Sequence, residues 1–170
     1  MIIKELSVIF PIYNEEDRLI KNLNKISNLF ASFRSYKFEI ILVNDGSIDR
    51  SDEIIKKYIK SLSKNNKRKI IYIYYKKNMG KGCAIKKGIE KSSMKWILTC
   101  DIDFSANPKE IKRWVKLNFI RNLKSCYFAS RSLPESQVTY KHHRYYLGNI
   151  FNYLVSIMFN LNINDTQCGF

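Results

Sequence analysis

Short apolar runs alternate along this chain with segments whose apolar positions recur every three or four residues. Runs rich in β-branched and aromatic residues predict strands, and the longer spacing predicts amphipathic helices. The runs predict strands at 6–10, where Pro11 ends the first one, and at 38–43, 70–75, 96–100 and 126–129. The periodic segments predict helices near 15–33, 54–62, 82–92 and 108–119, with a polar loop over 63–69. This alternation predicts an α/β fold with a mostly parallel, Rossmann-like sheet flanked by helices.

A different pattern runs from Tyr145 to Leu161, where a predicted helix is apolar on most of its circumference. Small and polar residues form one stripe at four-residue spacing, namely Gly148, Asn152, Ser156 and Asn160. At about 17 residues the segment is short for a membrane span, which needs about 20. Two interpretations stay open: a helix lying in the lipid interface, or a helix packed between the sheet and another domain.

The length of 170 residues fits a single domain over 1–170, and the composition is that of a folded protein. The formal net charge of +15 predicts an anionic partner, such as nucleic acid, an acidic membrane face or a phosphorylated substrate. A Lys-rich compositional habit of the genome explains the charge equally well. No segment reads as a signal peptide and no apolar run is long enough to span a bilayer, so we expect a soluble or peripheral protein.

The cysteines and histidines form no metal-binding pattern. Cys83, Cys100, Cys126 and Cys168 include no C-x-x-C pair and have no zinc-finger spacing to a histidine. We expect reduced, partly buried thiols in a cytosolic environment. His142 and His143 lie in a basic stretch, where a metal role is not expected.

Polar clusters follow every predicted strand. In an open parallel sheet, ligands bind at the carboxyl ends of the strands, so five clusters at five such ends predict one shared crevice. The clusters are Tyr13-Asn14-Glu15, Asn44-Asp45-Gly46-Ser47, Asn78 to Gly82, Asp101 to Asp103, and Ser130-Arg131.

Three of these clusters predict particular chemistry. Asp101 and Asp103 project to the same side if their strand continues, and paired carboxylates suit Mg²⁺ or Mn²⁺ bound together with a diphosphate. Asp45 is either an acceptor for a nucleobase N–H or merely a helix cap. Lys81 lies just before a predicted helix, where it could bind a phosphate group. Arg131, after the last predicted strand, could bind a phosphate through its guanidinium group. The sequence around Lys81 is neither a Walker A loop nor a complete G-x-G-x-x-G motif, which disfavours ATP hydrolysis and NAD binding.

Taken in order, these motifs resemble glycosyltransferase family 2. The resemblance rests on Phe10 to Glu15, Val43 to Ser47, Asn78 to Gly82 and the Asp101-Ile102-Asp103 motif, and it covers essentially the whole chain. Ser130-Arg131 and the closing stretch from Asp165 to Phe170 resemble the dolichyl-phosphate (polyprenyl-phosphate) β-glucosyltransferase branch. The basic residue and the C-terminal helices that follow Gly-Phe in this branch are missing, so we expect a C-terminally incomplete catalytic domain.

The resemblance implies a GT-A fold, an inverting mechanism and a UDP-glucose-like donor. It implies that the nucleotide sugar is held by Pro11, Tyr13, Glu15, Asp45, Lys81 and Asp101, and that Asp101 and Asp103 bind Mg²⁺ or Mn²⁺. Asp103, Arg131 and Asp165 are the expected catalytic residues, with Arg131 and Arg144 at the acceptor phosphate. Since a phosphate monoester is already largely ionised at neutral pH, Asp165 either acts as a base or orients one of these arginines.

The expected function is transfer of a hexose from a nucleotide sugar to polyprenyl or dolichyl phosphate at the cytosolic face of a membrane. Glucose is the leading candidate for the hexose. The enzyme would touch an anionic membrane peripherally and bind no nucleic acid. Two alternatives remain: a truncated, inactive module that binds a nucleotide sugar, and a basic nucleic-acid-binding protein. The second has only the net charge in its favour, because no nucleic-acid-reading motif is present.

Overall fold

The computed structural model describes residues 4–67, 69–117, 119–120 and 125–130, together with positions 153, 155, 157 and 158. The chain divides into two compact units, Met1–Leu123 and Lys124–Phe170. The helices and strands that surround the candidate site all belong to the first unit. The expectation of a single domain over 1–170 stays a prediction.

The first unit alternates strands with helices, as the hydrophobic pattern predicts. The order is β1 (Glu5–Ile12), α1 (Glu16–Ser32), β2 (Lys37–Asp45), α2 (Ser51–Ser61), α3 (Lys64–Lys67), β3 (Ile70–Tyr75), α4 (Lys81–Lys91), β4 (Trp96–Thr99) and α5 (Glu110–Lys116). The strands form one sheet in the order β3-β2-β1-β4, and every neighbouring pair is parallel. The predicted parallel α/β architecture is therefore confirmed.

The two inner strands, β1 and β2, form the centre of the core. They are buried along nearly their whole length, as expected for a parallel sheet covered on both faces. On one face Ile9, Ile41 and Val43 pack with Ala84 of α4. Gly88 lets α4 come close, because a β-carbon there would lie 2.5 Å from the Ile9 side chain. This close packing fixes the start of α4 above the carboxyl end of the sheet.

The first strand is longer than predicted. It continues through Pro11 to Ile12, and Pro11 is in register with Val43 of β2. The pairing of β1 with β4 ends near Ile9, whose carbonyl accepts a hydrogen bond from the Cys100 N–H at 2.9 Å. The backbone polar groups of positions 9 and 11 point toward the same edge of β1, the edge that pairs with β4. Because the pairing with β4 has ended before position 11, the N–H that proline lacks has no strand partner to lose.

Several element boundaries differ from the sequence-based prediction. The expected loop over 63–69 contains the short helix α3. Helix α5 was expected to begin at Pro108 but begins at Glu110, because Asn107 first closes a turn in which its Oδ1 accepts the Lys109 N–H at 3.0 Å. That helix ends at Lys116, so Phe119 lies outside it.

The predicted fifth strand is wrong. Residues 125–130 adopt no regular secondary structure, and Cys126 and Phe128 are exposed. β-propensity describes a side chain's fit to a pleated surface and does not supply a neighbouring strand. In the predicted helix from Tyr145 to Leu161, the four described positions are helical, whereas its small and polar stripe lies outside the described residues.

Candidate functional site

A cleft of about 360 Å³ opens at the carboxyl ends of β1, β2 and β4, beside the start of α4. Four of the five polar clusters contribute to it or to its supporting loops, which confirms their predicted convergence. Its lining consists of Pro11, Ile12, Tyr13, Glu15, Arg18, Asp45, Asn78, Gly80, Lys81, Ala84, Asp101, Ile102 and Asp103. In the fifth cluster Ser130 belongs to the second unit, and Arg131 lies outside the described residues.

Asp45 forms the inner wall of the cleft at the end of β2. Its side chain is only 2% exposed, and its Oδ1 accepts the Met79 N–H at 2.8 Å while Oδ2 accepts the Asn78 amide at 3.2 Å. Asp45 caps no helix: α2 begins six residues later at Ser51, without a side-chain cap. The capping interpretation is therefore wrong. The carboxylate anchors the loop before α4 and retains lone pairs for a ligand.

Gly46 allows that loop to pass directly over the end of β2. Its φ is +69°, a conformation that L side chains rarely adopt. A β-carbon at this position would lie 2.7 Å from both the Asn78 nitrogen and the Lys77 carbonyl carbon. Any side chain would push away the loop that Asp45 holds.

Behind Asp45 lies the hydroxyl group of Tyr75, at the end of β3. The oxygen is buried and lies near the Asp45 carboxylate. Burial raises the pKa of the Tyr75 hydroxyl, and the neighbouring Asp45 carboxylate raises it further. The phenol therefore stays neutral behind the anionic wall of the cleft.

Side chains join the loops that follow β1 and β2, an arrangement called here the loop clasp. Asn14, at φ +52°, accepts the Ile48 N–H through Oδ1 at 2.9 Å, and its own N–H donates to Ser47 Oγ at 3.0 Å. A second layer extends the clasp through Glu15 N–H to Ser51 Oγ, Glu16 N–H to Asp49 Oδ2, and Arg50 to the Glu16 carboxylate. Tyr13 and Glu15 flank Asn14, so the clasp sets where both meet the cleft.

The outer part of the clasp is electrostatic. The hydrogen-bonded Arg50 guanidinium lowers the pKa of the Glu16 carboxyl group. Burial acts to raise the pKa of Asp49, but hydrogen bonds from the Ser51 side chain and from backbone N–H groups outweigh it and hold that pKa below its usual value. Both carboxylates are therefore well suited to act as permanent acceptors.

Asp101 and Asp103 reach the cleft from a tight turn, so the continuation of the strand, on which their projection to one side depended, does not occur. Strand β4 ends at Thr99, and the Phe104 N–H closes the turn by donating to the Asp101 carbonyl at 3.0 Å. Phe104 adopts φ +56°, which is unusual for an aromatic residue, and its ring packs against Phe10 with centroids 5.4 Å apart. Ile102 between the two acids is buried. Because Ile102 and Phe104 are held in place by packing, the carboxylates of Asp101 and Asp103 both face the cleft.

Lys81 connects this turn to α4. As the first residue of the helix, it places its Nζ 2.7 Å from Asp101 Oδ1. Asp103 instead accepts the Ser105 N–H through Oδ1 at 2.8 Å. The two acids that the sequence presents as a pair thus have different partners.

The cleft is acidic although the chain is strongly basic. Four acidic and two basic side chains line it, in a protein with a net charge of +15. Arg18 is the charged lining residue that sequence reasoning missed; it forms two hydrogen bonds with the Glu15 carboxylate, at 2.7 and 2.9 Å. Its three-residue spacing from Glu15 at the start of α1 was the available signal.

Several residues of the sequence-based prediction fall outside the described part of the chain. Arg131, Arg144, Asp165, His142, His143 and Cys168 lie outside the described residues. Among the described cysteines Cys100 is buried, Cys83 is half-buried and Cys126 is exposed. Within the described part of the chain, no group of three or more Asp, Glu, His or Cys side chains is arranged to hold a metal ion. None of the described helices is sufficiently long and apolar to cross a membrane.

Known proteins resemble this chain in sequence and in fold. A dolichyl-phosphate beta-glucosyltransferase of Dictyostelium discoideum is 35% identical over 97% of this chain and 52% of its own length. An undecaprenyl-phosphate 4-deoxy-4-formamido-L-arabinose transferase of Photorhabdus laumondii is 36% identical over 67% of this chain and 34% of its own length. The chain thus spans about half or less of these relatives.

A crystal structure of S. aureus TarS, residues 1-349, superposes with a TM-score of 0.50 at 24% identity, covering 66% of this chain and 31% of that one. This likeness and the parallel sheet confirm the predicted GT-A fold. The family model described as "Glycosyl transferase family 2" matches residues 7–170. The match covers nearly every residue and includes all the loops that build the cleft. The chain therefore belongs to glycosyl transferase family 2.

Proposed function

We propose that this chain is the donor-binding and catalytic region of a hexosyltransferase that acts on a polyprenyl phosphate. The proposed donor is a nucleotide sugar such as UDP-glucose, and the proposed acceptor is dolichyl phosphate or a related lipid phosphate. One observation carries the proposal: Asp45, Lys81, Asp101 and Asp103 line a single cleft of ligand-binding size. The names of the relatives, which specify dolichyl-phosphate and undecaprenyl-phosphate transfer, support the acceptor class.

The nucleoside end of the donor fits the part of the cleft that β1 and β2 provide. The Asp45 carboxylate has lone pairs left after its contacts with the loop before α4, so it can accept a nucleobase N–H. Pro11, Tyr13 and Glu15 line the adjacent wall, where an aromatic ring and a carboxylate suit a base and a ribose. In this role the loop clasp keeps the two walls at a fixed separation.

The diphosphate end fits the wall formed by the β4 turn and α4. An anion would not enter an acidic cleft without a cation, which makes a divalent ion the natural partner of Asp101 and Asp103. Mg²⁺ and Mn²⁺ prefer oxygen ligands, and Mg²⁺ commonly binds one or two carboxylates together with substrate phosphates. Asp101 and Asp103 supply two carboxylates, and among the described residues no third protein ligand accompanies them. This arrangement matches a metal ion bound by two carboxylates and the phosphates of a substrate. A bound cation would neutralise charge on the departing nucleoside diphosphate.

Transfer in this site needs little acid–base chemistry. An acceptor phosphate oxygen forms a bond to the anomeric carbon while the bond from that carbon to the diphosphate breaks, and the electron pair leaves with the nucleoside diphosphate. Attack from the opposite face inverts the configuration. The acceptor's second pKa is about 6, so the acceptor is ionised at neutral pH and requires no base. Roles for Arg131, Arg144 and Asp165 at the acceptor remain predictions.

The basic surface fits a peripheral position at the cytosolic face of a membrane. Anionic lipid attracts each nearby Lys or Arg by about 1 kcal/mol. With 30 such residues against 15 acidic ones, the chain has enough excess charge for this attraction. This location would bring the cleft to a lipid-linked acceptor.

The proposal is tested by titrating UDP-glucose in a calorimeter with and without Mn²⁺, using the chain and its Asp103→Ala variant. We expect Mn²⁺ to tighten binding and the substitution to remove about tenfold or more of that gain, as loss of a metal ligand does. Glu90→Ala, an exposed site near the end of α4, is the matched control and is expected to bind like the unaltered chain.

Further outcomes separate the alternatives. Release of UDP in the presence of a polyprenyl phosphate would support catalysis, whereas donor binding without turnover would favour a donor-binding module. Salt-sensitive binding of duplex DNA, with no affinity for UDP-glucose, would contradict the proposal.

A further inference from the structure

Lys81 and Asp101 bridge two walls of the cleft. The Lys81 ammonium lies 2.7 Å from Asp101 Oδ1, joining the start of α4 to the turn after β4. The other charged pair in the cleft joins Glu15, which precedes α1, to Arg18 in the first turn of that helix. Lys81 is therefore placed to respond when either wall acquires a ligand.

The contact conflicts with the proposed role of Asp101. A divalent cation would bind a carboxylate oxygen at about 2.0–2.2 Å, closer than the ammonium group. Both cations would then compete for the lone pairs of one carboxylate, and they repel each other. Full engagement of Asp101 by a metal therefore requires Lys81 to withdraw from Oδ1.

The structure allows Lys81 to move at little cost. Its side chain is 56% exposed, and Asp101 is 33% exposed. An ion pair this open contributes a factor of only about two to five to an equilibrium constant. Gly80 and Gly82 flank Lys81, and an added β-carbon at either would meet no atom within 4 Å apart from its own chain neighbours and helix backbone, so the space around the helix start is open.

We propose that Lys81 is an exchangeable counter-cation that makes metal binding and diphosphate binding depend on each other. A metal ion displaces the ammonium from Asp101, and the freed ammonium becomes a partner for the diphosphate. In the reverse order, a diphosphate draws Lys81 away and frees Asp101 for the metal. Linkage requires the same coupling factor in both directions. This inference rests on the proposed function, because it assumes a metal and a diphosphate in this cleft.

Metal binding without a donor isolates the first half of the exchange. Mn²⁺ is titrated into the unaltered chain and into Lys81→Gln, Lys81→Arg and Lys86→Gln, with binding followed by calorimetry. Lys86 lies exposed on the same helix outside the cleft lining, so Lys86→Gln measures the general effect of losing one positive charge. We expect Lys81→Gln to bind Mn²⁺ about two- to fivefold more tightly than Lys86→Gln. Lys81→Arg keeps the charge and is expected to bind as weakly as the unaltered chain.

UDP then tests the coupling itself. The affinity for UDP is measured with and without saturating Mn²⁺, and the ratio of the two gives the coupling factor. We expect this ratio to be about two- to fivefold smaller in Lys81→Gln than in Lys86→Gln. Circular dichroism of each variant checks that α4 is retained.

The outcomes distinguish this inference from the proposed function. Mn²⁺ affinity in Lys81→Gln that does not exceed that of Lys86→Gln would overturn the exchange, even with UDP-glucose binding intact. A failure of every variant to bind Mn²⁺ would overturn it as well. Tighter Mn²⁺ binding by Lys81→Gln in a chain with no affinity for UDP or UDP-glucose would support displacement at Asp101 while contradicting the proposed function.

Discussion

Strand β2 buries a carboxylate at each end, and the two differ in what surrounds them. Near the amino end, Glu39 is 7% exposed and accepts hydrogen bonds from Ser7 Oγ at 2.6 Å, Ser93 N–H at 2.7 Å and Ser93 Oγ at 2.9 Å. At the carboxyl end, Asp45 is 2% exposed and accepts bonds from the loop before α4, yet it also lines the cleft. Similar burial therefore accompanies two different environments.

The difference follows from where each residue lies in a parallel sheet. Glu39 is in register with Ser7 of β1, so its partners come from the adjacent strand and from the segment before β4. At the carboxyl end, the chain leaves each strand toward a helix, and the diverging loops leave a crevice between them. Burial alone therefore does not mark a functional acid; a buried acid bordering such a crevice is the better candidate.

The largest expected effect is on stability, at the amino end. Glu39→Ala removes the acceptor for three hydrogen bonds and leaves the buried Ser7 hydroxyl group without its partner. We expect the free energy of unfolding, measured by urea denaturation, to fall by about 3 kcal/mol. UDP-glucose affinity, measured where the variant is folded, should change less than twofold. A loss of stability below about 1 kcal/mol would contradict a structural role for Glu39.

The next effect is on donor binding, at the carboxyl end. Asp45→Asn preserves the shape of the side chain but removes the charge that would accept a nucleobase N–H. Loss of one charge-assisted hydrogen bond corresponds to about 2 kcal/mol, or about 30-fold in UDP-glucose affinity by calorimetry. Glu39→Gln makes the same chemical change at the other end of β2. Equal weakening of donor binding by both variants would refute the distinction between the two ends.

The sequence predicted most of the sheet because periodicity records which residues are buried. It placed β3 at its observed bounds, and it placed the polar clusters at strand ends, which in a parallel sheet share one edge. It also predicted that Asp45 and Asp101 would share a crevice, although 56 positions separate them, because the topology places their strands on either side of β1.

Loop conformation was beyond the reach of such patterns. Periodicity could not predict the φ of +56° at Phe104 or the contact of Lys81 with Asp101, since both depend on how loops pack. It also predicted a strand at 126–129 from side-chain type alone, where the structure has none. Propensity identifies residues that suit a strand, but a strand also requires a neighbour for its hydrogen bonds.

A smaller effect on donor binding is expected from the loop clasp, which exists only at the cleft end. Asn14→Gly keeps the positive φ accessible but removes the Oδ1 acceptor of the Ile48 N–H. We expect UDP-glucose affinity to fall by about 1 kcal/mol, or about fivefold, because Tyr13 and Glu15 lose their fixed position. Asn14→Ala should lower the free energy of unfolding by about a further 1 kcal/mol through backbone strain. Calorimetry and urea denaturation of the two variants separate the effect of positioning from the effect of backbone strain. Unchanged donor affinity in Asn14→Gly would contradict a role of the loop clasp in donor binding.

The smallest effect concerns the support beneath the cleft end of β2. Asn44 donates to the Tyr72 hydroxyl at 3.1 Å, and Tyr72 donates to Asp52 Oδ1 at 2.6 Å. Burial acts to raise the pKa of Asp52, but the hydrogen bonds from Lys56 and Tyr72 outweigh it and lower that pKa. Burial and the Asp52 carboxylate raise the pKa of Tyr72, which therefore remains a donor. Asp52 should thus stabilise the end of β2 in a pH-dependent manner.

A carboxyl group whose pKa is lower in the folded than in the unfolded chain stabilises the fold above its unfolded pKa of about 3.9, and this contribution disappears as pH falls through the folded pKa. The unaltered chain should therefore exceed Asp52→Asn in free energy of unfolding by somewhat less than about 1 kcal/mol at pH 6, because Lys56 is largely exposed. Urea denaturation at pH 6, 4 and 2.5 should show this difference shrinking toward zero, whereas the exposed control Glu90→Gln should show a small difference throughout. A difference that grows as pH falls would mean that Asp52 is held protonated in the fold, and that the chain from Asn44 through Tyr72 does not end on a carboxylate.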